Sequence, residues 1–373
     1  MAQDAPSSLS YTFAVKGQGN YNKHSELQRD VLLEALHLLR LATVKASNNP
    51  YSVDQDLLRI IDYGASQGAN SIPPLETVLQ ATNRKSVAVE LNDRPENDFN
   101  TLSLTITRWS DNLDRIKYPH EIFISLRPSS FYKRLSSSGV VDLGFCFTCL
   151  HFLENMPFYP DSHFIAVQSQ ETRELLQQQA HTDLQKFLQH RASEIVPRGQ
   201  LLISFIASGF GHANFFSSGP GDSCRLALMD MVSAGLLSTD DMQAFTIPVY
   251  FRTLENIRST LETKDTSNQW SVIAMEQSEI LHPFWKELQQ KKMHSIFVKD
   301  DSSEYAKAMV NWFLTVFEPF FVRSLTSNPT RTHEEVVSLV GELTTRAVLK
   351  FLEKYTDDPV YIQSIYLLLE RRE

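Results

Sequence analysis

The chain has 373 residues, of which 42% are hydrophobic and 21% are charged, a composition typical of a soluble globular protein. Its formal net charge of −9 argues against nucleic acid or an anionic membrane surface as a partner. No apolar run approaches the roughly 20 residues that cross a bilayer, and residues 1–7 do not have the pattern of a signal peptide. The three cysteines, Cys146, Cys149 and Cys224, cannot make a disulfide framework, so we expect a cytoplasmic protein.

Residues 1–50 are expected to form an N-terminal lid segment and a helix. Polar and glycine-rich sequence at 16–28 is followed by leucines at helical spacing between residues 32 and 39. The segment that precedes the helix could be a disordered tail, or it could be a lid that folds over a bound ligand. The residues leave both possibilities open.

The next stretch has the pattern of a nucleotide-binding βαβ unit. The apolar run 57–61 is short and is followed by two glycines, which favours a buried strand over a helix. A helical pattern at 75–80 comes next, and a second apolar strand at 87–91 runs into Asp93. The spacing therefore predicts a strand, a glycine-containing turn, a helix and a strand that ends in an acid.

The ligand of such a unit follows from the residues in its turn. Gly64 and Gly68 let the backbone approach a ligand because they lack Cβ, and Asp93 lies where a carboxylate could accept hydrogen bonds from ribose hydroxyls. Asp62 comes two residues before the first glycine. It would repel a pyrophosphate but attract a ligand with an amino group, such as S-adenosylmethionine (SAM). The alternative is a crossover whose glycines merely turn the chain.

Strands continue to alternate with helices in the rest of the chain. Apolar runs predict further strands at 120–126, 140–147, 199–206, 271–276 and 360–367. Helical periodicity covers residues 170–195, 302–321 and 331–353. Because the apolar runs are continuous rather than alternating, we expect an α/β fold with a parallel sheet that is covered by helices on both faces.

The same pattern divides the chain into a core and a helical cap. The expected core consists of residues 51–210, a strand at 269–282 and a last strand at 356–373, and the expected cap consists of an insertion at 211–268 and residues 283–355. Such a cap would roof the carboxyl ends of the strands, where ligands bind in sheets of this kind.

The sequence predicts no metal site. Cys146 and Cys149 lie three apart, a spacing that on a strand points side chains to opposite faces, and no second pair completes a zinc site. His333-Glu334-Glu335 is not followed by the second histidine of a metalloprotease motif. His151 comes just after the fourth predicted strand, where it is either part of a ligand site or a satisfied core or surface histidine.

Three motifs, taken in order, resemble those of the SABATH methyltransferases. They are Asp62-x-Gly64-x-x-x-Gly68-x-Asn70, Leu91-Asn92-Asp93-x-Pro95-x-Asn97-Asp98-Phe99-Asn100 and Ser130-Phe131-Tyr132-x-Arg134-Leu135. Weaker similarities extend from Lys16-Gly17 to Glu318-Pro319. Enzymes of this family methylate small carboxylic acids such as salicylate, benzoate and jasmonate, or xanthine nitrogens, with SAM as methyl donor. The resemblance implies a Rossmann-like class I methyltransferase sheet with a helical cap, and commonly a homodimer.

The resemblance also implies roles for individual residues on the cofactor side. Ser25, Asp62 and Asn70 would contact the methionine part of SAM, with the backbone at Gly64 close to it, Asp93 would hold the ribose, and Ser130 and Phe131 would border the adenine.

On the substrate side, Gln28 matches the glutamine that anchors the substrate carboxylate in the family. Lys16 aligns with a lysine near the pocket entrance. The positions that match the family's pocket lining are Tyr21, Tyr250, Phe313 and Tyr361.

One segment departs from the family pattern. Where the family usually has Ser-x-Tyr-Ser-Leu-x-Trp-Leu, residues 146–153 read Cys-Phe-Thr-Cys-Leu-His-Phe-Leu. The tryptophan that would donate its indole N–H to the substrate carboxylate is Phe152, which has no donor. His151 could supply a replacement donor, and Thr148 replaces the usual tyrosine. Because both side chains are polar, the pocket could accept a substrate with a second polar group, such as a dicarboxylic acid.

The mechanism that the resemblance implies needs little from side chains. A carboxylic acid with a solution pKa of about 4 is ionised at neutral pH, so in-line methyl transfer to it requires no general base. We therefore expect a SAM-dependent carboxyl O-methyltransferase that makes methyl esters of a small, aromatic acid, with Gln28 and His151 as the catalytic candidates. The alternatives are N- or phenol O-methylation, for which His151 could be the base, and a SAM-binding protein without catalytic activity.

Overall fold

The structure, a computed structural model, describes residues 9–10, 17, 19–156, 169–209, 215–243, 245, 247–294 and 298–373. Its strands are β1 (Leu9–Ser10), β2 (Leu57–Tyr63), β3 (Ser86–Asp93), β4 (Glu121–Pro128), β5 (Val141–Phe147), β6 (Asn155–Met156), β7 (Ile195–Ile206), β8 (Trp270–Leu281) and β9 (Tyr361–Arg371). Its helices are α1 (Asn20–Lys23), α2 (Glu26–Glu34), α3 (Leu36–Ser47), α4 (Ile72–Ala81), α5 (Phe99–Asp111), α6 (Gln170–Glu194), α7 (Gly219–Ser233), α8 (Thr239–Gln243), α9 (Leu254–Leu261), α10 (Lys264–Gln269), α11 (Pro283–Met293), α12 (Lys299–Thr326) and α13 (His333–Lys354). Every strand that the apolar runs predict is present.

Local sequence explains why β2 ends where it does. The chain turns through Gly64 and Gly68, whose φ angles are 105° and 90°, a region that residues with a Cβ rarely adopt. A Cβ on Gly68 would also lie 2.7 Å from the side chain of Leu102. Two prolines occupy the first turn of α4, where a missing N–H breaks no intrahelical bond. The predicted βαβ unit is confirmed, because β2 and β3 pair in parallel.

The main sheet has seven strands in the order β4-β3-β2-β5-β7-β9-β8. The pairs from β4 to β7 are parallel, as the continuous apolar runs predict. The expectation of a wholly parallel sheet is wrong at β9, which is antiparallel to both β7 and β8. Its residues are nearly all buried, and a strand covered on both faces has a continuous apolar pattern whichever way it runs.

The order of the strands fixes the place of the ligand site. β3 lies on one side of β2, and β5, which comes later in the chain, lies on the other. At such a switch point the two connections leave the sheet in opposite directions, and a crevice opens outside the carboxyl ends of the strands. The residues that follow β2, β3 and β5 therefore meet at one edge.

Helices from the second half of the chain form the cap. α7, α12 and α13 pack on one another and bury rings such as those of Phe313, Phe320 and Phe351. α9 and α10 contact α6 instead, so the predicted insertion at 211–268 contributes to two separate packings. Among the described residues, no helix combines the length and the apolar character needed to span a membrane.

Candidate active site

A cavity lies between the carboxyl ends of the central strands and α12. We call its two parts the polar end and the aromatic end. The polar end is lined by Gly64, Ser66, Asp93, Arg94, Asn97 and Phe131. The aromatic end is lined by Phe152, Ile206, Phe215, Trp312, Phe313, Val316 and Phe317. The lining is completed by Tyr21, Gln28, Thr148, Cys149 and His151.

Asp93 is the last residue of β3, and its carboxylate faces the polar end. One oxygen accepts a hydrogen bond from the backbone N–H of Ser66 at 2.6 Å, and the other accepts one from the N–H of Arg94 at 2.7 Å. Each carboxylate oxygen has a second lone pair, so both can still accept hydrogen bonds from a ligand. Burial raises the pKa of Asp93 to about 6, against the effect of these two bonds.

Asp62 lies one strand away, at the end of β2, and is buried beneath the cavity rather than part of its lining. The hydroxyl of Ser71 donates a hydrogen bond to its carboxylate at 2.6 Å. Burial raises the pKa of Asp62 to about 7, and the negative charge of Asp93 adds to this rise. Two buried acids close together are costly to ionise, and a cation between them would offset that cost.

The described part of the N-terminal segment is tied to the turn that follows β2. The side-chain amide of Asn70 donates to the hydroxyl of Ser25 at 3.1 Å. The side chain of Asn22 bonds the same turn twice, because its amide donates to the carbonyl oxygen of Gln67 and its oxygen accepts from the N–H of Ala69. Asn22 was missed by the sequence analysis, since no motif marks it. These contacts hold α1 and α2 against the cavity.

Gln28, on α2, meets a tryptophan from the opposite end of the chain. The indole N–H of Trp312, on α12, donates to the side-chain oxygen of Gln28 at 2.9 Å, and the bond is buried. The ring of Trp312 packs edge-on against Phe215, with 5.0 Å between ring centres. Trp312 lies in the helix that the sequence predicts at 302–321, but the aromatic spacing in this helix reveals nothing about the partner of its indole.

His151 is buried at the aromatic end, with 3% of its surface exposed. Its ring centre lies 4.1 Å from that of Phe152 and 5.8 Å from that of Phe251. Burial, with a smaller effect from the charge of Arg252, lowers the pKa of His151 to about 3. Among the described residues, its Nδ1 atom has no hydrogen-bond partner. His151 is therefore a neutral histidine and not a satisfied core residue.

Thr148 and Cys149 line the cavity between its two ends. Thr148 has a φ angle of 52°, which is uncommon for a β-branched residue, and its N–H is held by the backbone oxygen of Ser204 at 3.1 Å. The thiol of Cys149 lies so close to Gly64 that a Cβ there would be 2.4 Å from its sulfur. A hydrogen bond with Cys146, together with burial, keeps the pKa of the Cys149 thiol well above its usual range.

The structure thus brings most of the predicted site residues to one cavity. The predicted residues that line it are Tyr21, Gln28, Gly64, Asp93, Phe131, Thr148, His151, Phe152 and Phe313. Ser25, Asp62 and Asn70 lie behind this lining, and Ser130 precedes Phe131 without reaching the cavity. Lys16 lies outside the described residues.

Two predicted substrate residues are not brought to the cavity. Tyr250 points to a separate pocket, where its hydroxyl donates to Asn256 at 3.0 Å. The chain is extended here, and the backbone N–H of Tyr250 bonds to the oxygen of His151 at 2.8 Å. Because side chains alternate along an extended chain, the ring of Phe251 packs against His151 while Tyr250 faces away. Tyr361 begins β9 opposite Leu281, also away from the lining.

Comparisons with known proteins agree with this geometry. A family model described as "SAM dependent carboxyl methyltransferase" matches residues 12–365. Methyltransferase LUC1 of a Fusarium species is 35% identical over 96% of this chain and 97% of its own. O-methyltransferase acrG of Aspergillus aculeatus is 33% identical over 95% of this chain and 96% of its own.

The chain belongs to the SAM-dependent carboxyl methyltransferase family. The resemblance to the SABATH enzymes is confirmed with it. A solved structure of a loganic acid methyltransferase with S-adenosylhomocysteine covers 96% of this chain and 99% of its own, with a TM-score of 0.72 and 20% identity. The two proteins share the α/β methyltransferase fold, in which a mixed seven-stranded sheet is flanked by helices.

Membership in this family makes SAM the cofactor, and the polar end of the cavity suits it. SAM carries a positive sulfonium and an ammonium group, and Asp62 and Asp93 are two acids whose pKa burial raises. A bound cation would favour the charged form of both carboxylates. Asp93 also retains acceptor capacity for hydroxyl groups.

Proposed function

We propose that this methyltransferase forms methyl esters, by transferring a methyl group to the carboxylate oxygen of a small, flat, largely apolar acid. The observation that carries the proposal is the aromatic end of the cavity, where the described residues offer the amide of Gln28 as a polar anchor but no effective base. His151, with a pKa of about 3, is too weak a base to deprotonate a phenol at neutral pH. A nucleophile that arrives already ionised fits such a site, and a carboxylate does so.

The walls of the aromatic end suggest the rest of the substrate. Phe152, Phe313 and Phe317 present ring faces and edges, which favour contact with a planar ring or conjugated chain. His151 and Thr148 would meet a second polar group. Because His151 is neutral, a hydroxyl or carbonyl group fits beside it better than a second carboxylate, which would lose its hydration without gaining a cationic partner. The proposal therefore favours a hydroxy or keto acid over a dicarboxylic acid.

The residues of the chain would act mainly by placement. When bound, SAM supplies an electrophilic methyl group, and Asp62 and Asp93 would hold it at the polar end. Gln28 would orient the carboxylate toward it, and the ring-lined walls would exclude water from the nucleophile. Well-oriented reacting groups can lower a barrier by roughly 7–11 kcal/mol. No side chain has to move a proton in this scheme.

Methyl transfer from labelled SAM to a panel of acceptors tests the proposal. Benzoate, cinnamate, salicylate and phthalate serve as acids, and benzamide and phenol as controls that share the ring but lack an ionised carboxylate. We expect methyl esters from one or more acids and no product from either control. Methylation of phenol or of an amide nitrogen without any ester would overturn the proposal. SAM binding without turnover of any acceptor would favour a binding protein.

A further inference from the structure

The hydrogen bond between Trp312 and Gln28 joins residues that are 284 positions apart in the chain. Both side chains line the cavity. Both are almost fully buried, since Trp312 is 4% exposed and Gln28 is 6% exposed. Gln28 is on α2, in the N-terminal part of the chain, whereas Trp312 is on α12 in the cap. The bond therefore connects two elements that line the cavity, α2 and α12.

The chemistry of the two groups fixes which way the amide faces. An indole nitrogen can only donate a hydrogen bond, whereas a glutamine amide has an accepting oxygen and a donating nitrogen. The atom of Gln28 that lies 2.9 Å from the indole is therefore its oxygen. The oxygen is engaged by the tryptophan, and the two N–H bonds of the amide have no other partner in the part of the chain that the structure describes. A free glutamine could rotate and present either end to a ligand.

Trp312 is itself held in place on two sides. Its ring packs edge-on against Phe215 and against His282, with 5.0 Å and 5.4 Å between ring centres. A donor that is fixed by packing can hold its acceptor in one orientation at little further entropic cost. Thus α12 determines the chemical character that Gln28 presents to the cavity.

We propose that Trp312 is a positioning residue that locks the Gln28 amide as a hydrogen-bond donor and thereby selects an anionic acceptor. This inference rests on the proposed function, carboxylate methylation. It also accounts for the departure at Phe152, which cannot donate a hydrogen bond. Here an indole is present at another position, and it acts on the carboxylate through Gln28 rather than by direct contact.

The structural half of this proposal can be tested without substrate. In a protein labelled with ¹⁵N at tryptophan, the indole resonance that is missing from Trp312→Phe belongs to Trp312. We expect Gln28→Leu to shift this resonance, because it removes the acceptor, and to leave the other indole resonances in place. Trp285→Phe, at a half-buried tryptophan of α11 that packs against Tyr305, is the control variant. An unmoved Trp312 resonance in Gln28→Leu would overturn the inference.

The functional half is tested by kinetics of the four proteins in a double-mutant cycle, with the benzoate-type acid of the panel that wild type turns over fastest. Trp312→Phe keeps a ring but loses the donor, and we expect it to lower kcat/KM by about tenfold, mainly through KM. We expect Gln28→Leu to lower it by at least as much, and Trp312→Phe to have no further effect in the Gln28→Leu background. The dissociation constant for SAM should stay within about twofold of wild type in each.

Other outcomes would contradict either the role of Trp312 or the proposed function. If Trp312→Phe lowers kcat/KM equally in both backgrounds, the tryptophan acts by packing and the inference is wrong. If Trp312→Phe lowers both the affinity for SAM and the thermal stability of the protein, the role of Trp312 is structural and the inference is also wrong. If wild type makes no ester from any acid, the proposed function fails first, which is evident before any variant is measured.

Discussion

Arg191 and Glu194 form an ion pair at 2.9 Å in which both side chains are completely shielded from solvent. The guanidinium of Arg191 also donates to the backbone oxygens of Phe131 and Lys133, at 2.8 and 2.9 Å. Glu194 accepts a hydrogen bond from the N–H of Leu135 at 2.5 Å. Because Phe131 lines the polar end of the cavity, this pair at the end of α6 fixes one wall of that end.

Replacement of Arg191 by Met should destabilise the protein and weaken SAM binding together. The variant leaves the Glu194 carboxylate buried without its partner, which typically costs about 3–5 kcal/mol of unfolding free energy. Urea unfolding measures the loss, and calorimetric titration measures the affinity for SAM. Arg173→Met, at an exposed site on the same helix, should change neither. A loss of unfolding free energy below about 1 kcal/mol for Arg191→Met would contradict the prediction that the ion pair holds residues 131–135 in place.

Replacement of Asp93 by Asn should weaken SAM binding by about 10- to 100-fold, because hydrogen bonds to a charged group contribute about 1.5–3 kcal/mol. The asparagine keeps the size of the side chain but loses the negative charge and one acceptor oxygen. Glu96→Gln, which removes an exposed acid from the same loop, is the matched control and should bind SAM like wild type. If Asp93→Asn binds SAM with unchanged affinity, the cofactor lies elsewhere.

The affinity for SAM should rise between pH 5.5 and pH 7.5. In the ligand-free protein the pKa values of Asp93 and Asp62 are about 6 and about 7, and a bound cation should lower both. A ligand that lowers a pKa binds more tightly as the pH rises through the value of the free protein. Asp62→Asn should flatten the upper part of this rise. Calorimetric titrations at pH 5.5, 6.5 and 7.5 measure it, and a constant affinity in wild type would contradict the prediction.

The same two pKa values affect folding with the opposite sign. Both lie above the value of about 3.9 for an unfolded aspartate, so the ligand-free folded state binds extra protons between roughly pH 4 and pH 7. The contribution of these acids to stability therefore falls as the pH rises through this window. Thermal unfolding measures the stability of Asp62→Asn relative to that of wild type. This difference should favour the variant more at pH 7.5 than at pH 5. An unchanged difference between the two proteins would contradict it.

The sequence predicted features that depend on short stretches of chain. The turn at Gly64 and Gly68, the acid Asp93 and the strands are set by neighbouring residues, and their patterns can be read directly. The direction of β9 could not be predicted, because burial on both faces gives the same apolar run in either direction. Tyr250 was assigned to the cavity by resemblance, but the side to which it points depends on the extended pairing of its neighbours with residues 151–153.

The contact between Gln28 and Trp312 illustrates a second kind of limit. The family resemblance marked Gln28, and the loss of a donor at Phe152 was visible in the sequence. The partner of Gln28 was not, because it depends on how α12 is rotated over the sheet. A helix with so many aromatic residues could face the core with several of them. Only the packed cap determines which indole reaches the amide.

Replacement of His151 by Phe should change the choice of acid rather than the chemistry. With a pKa of about 3, His151 stays neutral throughout the working range, so its removal should leave the pH profile of ester formation unchanged. The neutral ring can still exchange a hydrogen bond with a hydroxyl group, and loss of such a bond costs about tenfold in kcat/KM. We therefore expect kcat/KM for salicylate to fall about tenfold relative to kcat/KM for benzoate. His181→Phe, at a half-buried histidine in the separate pocket beside Tyr250, is the control and should leave the ratio unchanged. An equal loss for both acids, together with a step near neutrality in the wild-type pH profile that disappears in His151→Phe, would instead make His151 a general base and would revive phenol methylation as the activity.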